Sequence, residues 1–100
     1  METAKQLELD KKLLCAAFDN DIKGVREALH SGADANARND VGDTALMLAI
    51  YEGDPDIIKL LISAGADVNA KSGDGDTVLQ WARGDGYAEI FQILLDAGAK

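Results

Sequence analysis

The sequence has few of the residues that would tie a protein to a membrane, a metal or a disulfide framework. Its 100 residues include one cysteine and one histidine. No apolar run approaches the roughly 18–20 residues that a bilayer span needs. Residues 1–5 mix acids and bases with no apolar stretch behind them, so we expect no secretory signal. The lone His30 has no Cys or His at metal-ligand spacing, and a place on a helix surface is predicted for it.

Basic residues are also scarce, with 10 Lys and Arg against 18 Asp and Glu and a formal net charge of −8. Residues 1–38 carry a net −1, whereas residues 39–100 carry −7. Because phosphate contacts need a basic surface, this balance disfavours nucleic acid as a partner. If charge steers a partner to this protein, that partner should be basic.

What the sequence does contain is a repeat of 33 residues, marked by Gly32, Gly65 and Gly98. Between residues 42–66 and 75–99, eleven of 25 aligned positions are identical. Such a period indicates stacked copies of one small unit, and stacked units generally bind rather than catalyse. We divide the single domain into an N-terminal capping repeat with a helical extension at 1–38, a central repeat at 39–71 and a C-terminal repeat at 72–100.

Each copy is expected to form two short helices. In the central copy, Thr44 caps the first helix and Gly53 ends it, while Asp54 and Pro55 begin the second. In the third copy, Thr77 and Gly86 should mark the same boundaries. In the first copy, Asn20 replaces the terminating glycine and Asp21 caps the second helix, and Thr3 with Gln6 matches a capping box that would start the first helix early. Helices of about nine residues are unstable alone, so their apolar faces must be buried between copies.

These residues resemble the ankyrin repeat over about 13–100. The family's Thr-Pro-Leu-His signature is matched by 44–47 and 77–80, and its Gly-Ala-Asp-Val-Asn-Ala loop by 65–70 and 32–37. The resemblance implies an all-α solenoid of stacked antiparallel helix pairs joined by hairpin-like loops, or fingers. Loop asparagines are hydroxylated in some family members, and Asn36 and Asn69 occupy the matching position.

The chain departs from the family pattern in two places. No histidine follows Leu46 or Leu79, so the usual Thr–His hydrogen bonds between repeats cannot form and stability should depend more on packing. The third copy stops before its loop is complete, which leaves two interpretations open. Arg83 and Gln80 favour a C-terminal cap, whereas Trp81 and Phe91 favour a segment of a longer array. Trp81 itself is expected in the core.

Catalytic and metal sites find no support in the sequence. Cys15 aligns with Leu48 and Trp81, so we expect a buried, reduced thiol rather than a nucleophile, which is typical of a cytoplasmic protein. Residues 73–76 resemble part of a calcium loop but lack its later ligands. Residues 84–86 lack the preceding strand and third glycine of a dinucleotide site. We therefore predict a non-enzyme with no cofactor.

The resemblance implies that a partner protein is held by the fingers and by the positions that close each first helix. These positions are Phe18, Asp19, Arg38, Asp40, Val41, Asp43, Tyr51, Glu52, Lys71, Asp74, Asp76, Arg83 and Asp85, with Gly84 beside the last two. For Tyr51, an interface anchor and a ring packed on the neighbouring repeat are equally compatible with the sequence. We predict a monomeric protein-binding module for a basic surface. The alternatives are a regulatory or inhibitory subunit of an enzyme and a fragment of a longer array.

Overall fold

The computed structural model describes residues 2–84 and 86–100, apart from the side chains of residues 2 and 3. It contains six helices among these residues and no strand, which confirms the all-α prediction. An antiparallel bridge joins Arg38 to Thr44. The helices are α1 (Glu2–Phe18), α2 (Ile22–His30), α3 (Ala45–Glu52), α4 (Pro55–Ser63), α5 (Val78–Trp81) and α6 (Ala88–Asp96).

Side-chain caps start most of the helices at the predicted residues. Asp21 accepts from the Gly24 backbone N–H at 3.0 Å, and Asp54 accepts from that of Asp56 at 2.9 Å. Thr44 and Thr77 each accept from the N–H three residues on. These bonds satisfy N–H groups that have no partner within the helix. Each of these helices therefore begins next to a short polar side chain that accepts a hydrogen bond from an N–H group of the first turn.

Met47 and Gln80, which stand where the family signature has histidine, bond to the threonines of their own repeats. The Thr44 N–H donates to the Met47 sulfur at 3.4 Å, and the Thr77 N–H donates to the Gln80 side-chain oxygen at 2.7 Å. Both complete a reciprocal capping box within one repeat. Neither bond reaches a neighbouring repeat, so contact between repeats is left to packing and to the loops.

Left-handed residues end two of the first helices. Asn20 has a φ of 59° and Gly53 a φ of 79°. Asparagine is the commonest replacement for glycine in this conformation because its short polar side chain tolerates it. The predicted stop at Asn20 is confirmed.

The core is a continuous layer between successive helix pairs. α1 packs on α3 and α3 on α5, while α2 packs on α4 and α4 on α6. Leucine, isoleucine and alanine side chains fill the interfaces, and the largest that are fully buried are Leu13, Val25, Leu46, Met47, Ile50, Ile57, Ile58, Leu61, Val78 and Leu94. Three of these lie in α4, the central second helix. Burial of this kind supplies most of the stability that short helices lack by themselves.

Asparagine side chains tie each loop to the end of the next helix pair. Asn36 donates to the Gly65 carbonyl at 3.2 Å and accepts from the Asp67 N–H at 2.6 Å. Asn69 makes the equivalent bonds to Gly98 and Lys100 at 3.2 and 2.9 Å. One carboxamide thus holds both sides of each turn that follows a second helix.

The N-terminal extension reproduces this arrangement with two residues. Gln6 donates to the Gly32 carbonyl at 3.0 Å, and Asp10 accepts from the Asp34 N–H at 2.8 Å. α1 begins at Glu2, so the early start predicted for the first helix is confirmed. Thr3 lies inside the helix and not at its N-cap position, and its side chain, on which the predicted capping box depends, lies outside the described residues. The extension occupies the sequence positions at which later repeats have a finger.

Helix α5 is much shorter than predicted. It ends after Trp81, one turn from its start, and not at Gly86. Arg83 stands where α3 has the fully buried Ile50, and Gly84 stands where α3 has Tyr51. An unpartnered arginine cannot be buried at low cost, and glycine disfavours a helix, so both substitutions oppose further turns. Trp81 is half-buried rather than enclosed.

Cys15 is exposed, which corrects the prediction of a buried thiol. Its aligned residue Leu48 is buried, at 8% exposure. The pair α3–α4 packs against α1–α2, whereas no helix of the described residues covers Cys15. The repeat alignment therefore placed Cys15 at an inward position that has nothing to cover it.

Candidate protein-binding surface

Two loops project from the helix stack, and we name them finger 1 (residues 38–43) and finger 2 (residues 71–76). In finger 1 the Asn39 N–H donates to the Asp43 carbonyl at 2.9 Å. In finger 2 the Ser72 N–H donates to the Asp76 carbonyl at 2.8 Å. Each finger is therefore a tight hairpin-like turn, as the resemblance implied.

A side chain at the base of each finger holds its turn in shape. The Asn39 side-chain oxygen accepts from the N–H groups of Val41 and Asp43, at 3.1 and 2.9 Å. The Ser72 hydroxyl accepts from those of Asp74 and Asp76, at 3.3 and 3.1 Å. Side-chain bonds of this kind hold the backbone in a tight turn.

The two fingers also touch each other. A Cβ built on Gly73 would overlap the Val41 carbonyl oxygen, and one built on Gly42 would lie 2.8 Å from the Gly73 Cα. The Arg38 guanidinium donates to the Gly42 carbonyl and to the Lys71 carbonyl, both at 2.6 Å. Arg38 was predicted only as a partner contact, and in the fold it also joins finger 1 to finger 2.

The predicted positions at the ends of the first helices are accessible. Tyr51 is 67% exposed and Phe18 54% exposed. Asp19 and Glu52, which follow them, are exposed as well. Because α1 packs on α3, these aligned residues belong to neighbouring helices of the stack. A ring of Tyr51 packed flat on the next repeat would be covered, so its exposure favours the interface anchor.

The third repeat does not continue this row. Gly84 has no side chain, and it lies beyond the end of α5 rather than at a helix terminus. Arg83 is exposed in the same loop, and the predicted contact Asp85 lies outside the described residues. Instead, the Tyr87 hydroxyl donates to the Tyr51 carbonyl at 3.2 Å, which ties the start of α6 to the end of α3.

The carboxylates of the described residues fall into two groups. One group accepts hydrogen bonds from backbone or side-chain N–H groups and so serves the fold: Asp10, Asp21, Asp34, Asp54, Asp67 and Asp96. The other group accepts none from the described part of the chain and includes all four finger carboxylates, of Asp40, Asp43, Asp74 and Asp76. Val41, at 68% exposure, lies among them on finger 1.

Other chemistry has little support in residues 2–84 and 86–100. They contain no group of three His, Cys, Asp or Glu side chains that could hold a metal ion. His30 is exposed in the last turn of α2, as predicted. None of the described helices has the length and apolar character that crossing a membrane requires.

Sequence reasoning missed Asn39, Ser72 and Gly73 as determinants of the surface. Asn39 and Ser72 are aligned, and both are residue types that bond to backbone two positions on, so this signal was present in the repeat. The role of Gly73 carried no such signal. Its aligned residue is Asp40, and only the approach of finger 1 shows why a side chain is excluded.

The stacked helix pairs and their paired fingers define a helical repeat protein. A family model described as ankyrin repeats (3 copies) matches residues 13–100. The chain therefore belongs to the ankyrin repeat family. A search of curated proteins gives no match to it. Ankyrin repeats are generally modules for protein–protein interaction, and the family is typically non-catalytic.

Proposed function

We propose that this protein binds a partner with a basic surface through its two fingers and the ends of α1 and α3. The observation that carries the proposal is the availability of the finger carboxylates of Asp40, Asp43, Asp74 and Asp76. None of these four carboxylates accepts a hydrogen bond from the described residues, whereas six other aspartates do. Of the four, Asp40, Asp74 and Asp76 are exposed and Asp43 is half-buried. Carboxylates on two neighbouring loops attract cations and raise the rate of encounter with a basic patch.

Apolar side chains beside the carboxylates supply area that a partner can bury. Tyr51, Phe18 and Val41 are each more than half exposed. Aromatic residues are enriched among the side chains that contribute most to binding energy. Charge would then steer the encounter, while these three side chains slow dissociation. The remaining predicted contacts Asp19, Glu52, Lys71, Arg83 and Asp85 would form the rim.

We further propose that the protein is a monomer, that it binds no cofactor and that it catalyses no reaction. We place it in the cytoplasm, because an exposed and solitary Cys15 suits a reducing compartment. An interface of ordinary size buries about 800 Å² on each partner. The fingers and helix ends together would need to supply that area.

Affinity capture with the immobilised protein, beside a variant with Asp40, Tyr51, Asp74 and Asp76 replaced together, tests this function. A partner retained by the wild type and lost by the variant is expected. Its affinity should fall as salt rises from about 0.05 to 0.5 M, because the Debye length falls from roughly 14 Å to 4 Å. An affinity that does not change with salt would refute the basic-partner proposal.

Single substitutions then separate binding from folding. Tyr51→Ala should weaken the captured complex about tenfold or more if the ring is an anchor, with little change in melting temperature. Leu95→Ala is the matched control, since Leu95 is 42% exposed but lies on α6 away from the fingers. Equal effects of the two substitutions would argue against a site at Tyr51.

A further inference from the structure

One end of the helix stack presents apolar side chains that no described helix covers. In the central pair, Leu46 and Ile58 are fully buried, and α5–α6 packs against that pair. The aligned residues of the third pair, Leu79 and Phe91, are only half-buried. Leu95, on the same helix as Phe91, is 42% exposed. These three residues mark an outer side of α5–α6, which we name the end face, and its apolar character favours contact with another molecule.

A groove opens in the end face where α5 stops early. Its volume is about 350 Å³, and it is lined by Ala82, Arg83, Gly84, Tyr87, Ala88 and Phe91. Gly84 places no side chain in it, whereas the aligned residue of the central pair is Tyr51. Small-molecule sites begin at about 300 Å³, so the groove is large enough for one aromatic side chain.

The preceding repeat shows which kind of side chain fits against the end of a first helix. The Tyr87 hydroxyl donates to the Tyr51 carbonyl at 3.2 Å and lies 4.0 Å from the position of a Cβ built on Gly53. Tyr87 replaces the aligned N-cap residue Asp54 and makes no side-chain cap to α6. Its side chain therefore serves the contact with the preceding repeat. Since Tyr51 aligns with Gly84, an incoming aromatic ring would lie on the end of α5 as Tyr87 lies on the end of α3.

A positive charge lies at the edge of this groove. Arg83 is the only basic residue between Lys71 and Lys100, and it is exposed. It belongs to the rim of the proposed finger surface, but it also lines the groove. A guanidinium pairs with a carboxylate through two parallel hydrogen bonds. An acidic group next to the aromatic ring would therefore complement Arg83.

We propose that the end-face groove binds an aromatic residue of a partner protein that has a carboxylate next to it. Arg83 binds the carboxylate, while Ala82, Ala88 and Phe91 contact the ring. Charge complementarity to Arg83 and the seat of Tyr87 on the end of α3 define this chemistry. The inference goes beyond the proposed function and does not depend on it, because the groove takes an acidic segment and the fingers a basic one.

Three short peptides separate the ring from the charge. Acetyl-Glu-Tyr-amide carries both, acetyl-Gln-Tyr-amide lacks the carboxylate, and acetyl-Glu-Ala-amide lacks the ring. Each is titrated into 15N-labelled protein and followed through the amide signals of Ala82, Ala88 and Phe91. We expect loss of the carboxylate to raise the Kd about two- to fivefold, in line with an exposed ion pair, and loss of the ring to raise it about tenfold or more.

Arg83→Gln tests the charge, and Lys59→Gln is its matched control. Each removes one positive charge, but Lys59 is exposed on α4 and does not line the groove. In Arg83→Gln the two tyrosine peptides should bind equally, whereas Lys59→Gln should keep the wild-type preference for the acidic one. Because Arg83 is exposed, its substitution should leave the melting temperature nearly unchanged, which thermal unfolding checks.

Three results would overturn the proposal, and each leaves the finger surface unaffected. The first is no response of the groove amides to acetyl-Glu-Tyr-amide, or an equal Kd for the two tyrosine peptides in the wild type. The second is an equal loss of preference in Arg83→Gln and Lys59→Gln, which would assign the preference to net charge alone. The third is a shift of the same amide signals as protein concentration rises without peptide, which would show that a second copy covers the groove.

Discussion

Asn36 offers the most direct test of how the repeats are held in register. Its carboxamide makes two bonds to the backbone of the next turn, one to the Gly65 carbonyl and one from the Asp67 N–H. A hydrogen bond contributes about 0.5–1.5 kcal/mol net. Because Asn36 is exposed, water can replace part of each bond, and we expect Asn36→Ala to lower the free energy of unfolding by about 1–2 kcal/mol.

For a domain of this size, a loss of 1 kcal/mol lowers the melting temperature by about 4–8 °C. Urea and thermal unfolding followed by circular dichroism would measure both quantities. Asn36→Asp is the matched control, because it keeps the acceptor for the Asp67 N–H and removes the donor to Gly65. We expect it to lose about half as much stability near neutral pH, where the bond from Asp67 is retained.

The equivalent Asn69→Ala should have a smaller effect. Its partners Gly98 and Lys100 follow the last helix, so only one end of the stack is released. A melting temperature for Asn36→Ala within about 1 °C of the wild type would refute the reasoning. In that case packing alone sets the register, and the asparagine bonds merely accompany it.

Three further predictions concern the helices. Leu61→Ala, at a fully buried site in α4, should cost about 2–5 kcal/mol in urea unfolding, and a cost below about 1 kcal/mol would contradict its burial. Asn20→Ala should destabilise the protein by about 1 kcal/mol, because alanine tolerates the left-handed conformation poorly; an unchanged stability would place the end of α1 elsewhere. Cys15 should react with a thiol reagent in the folded protein nearly as fast as in urea, whereas strong protection would restore the buried thiol predicted from the repeat alignment.

The local features of the fold were predictable because they depend on residues close together in the chain. Thr44, Asp54 and Thr77 cap helices through bonds that span two or three positions, and Gly53 ends one by its own conformation. The 33-residue period then implied stacking, since such short helices cannot bury their apolar faces alone. These inferences needed no knowledge of tertiary distances.

The errors arose where a repeat lacks what its neighbours have. The alignment assigned Cys15 the burial of Leu48, although no helix of the described residues covers Cys15. It also carried the length of α3 over to α5, although Arg83 and Gly84 replace Ile50 and Tyr51. Both corrections depend on the environment of an individual copy, which an average over copies conceals.

The candidate surface was only partly accessible to sequence reasoning. The resemblance selected the finger residues, and the predicted roles of Asp40, Asp43, Asp74 and Asp76 in binding stay predictions. The contact between Gly73 and the Val41 carbonyl could not be inferred, because it depends on the separation of two loops 33 residues apart. The same is true of the two carbonyls that Arg38 joins.

The single turn of α5 makes the two ends of the helix stack unequal in stability. The α5–α6 pair lacks most of its first helix, and α6, which begins at Ala88, has no side-chain cap from Tyr87. Under a pulling force or in mild denaturant, the α5–α6 pair would unfold before the α1–α2 pair, whose first helix has more than four turns. Unfolding would then proceed from the α5–α6 pair towards α1–α2. Finger 2, which directly precedes α5, would lose its supporting helix before finger 1 does.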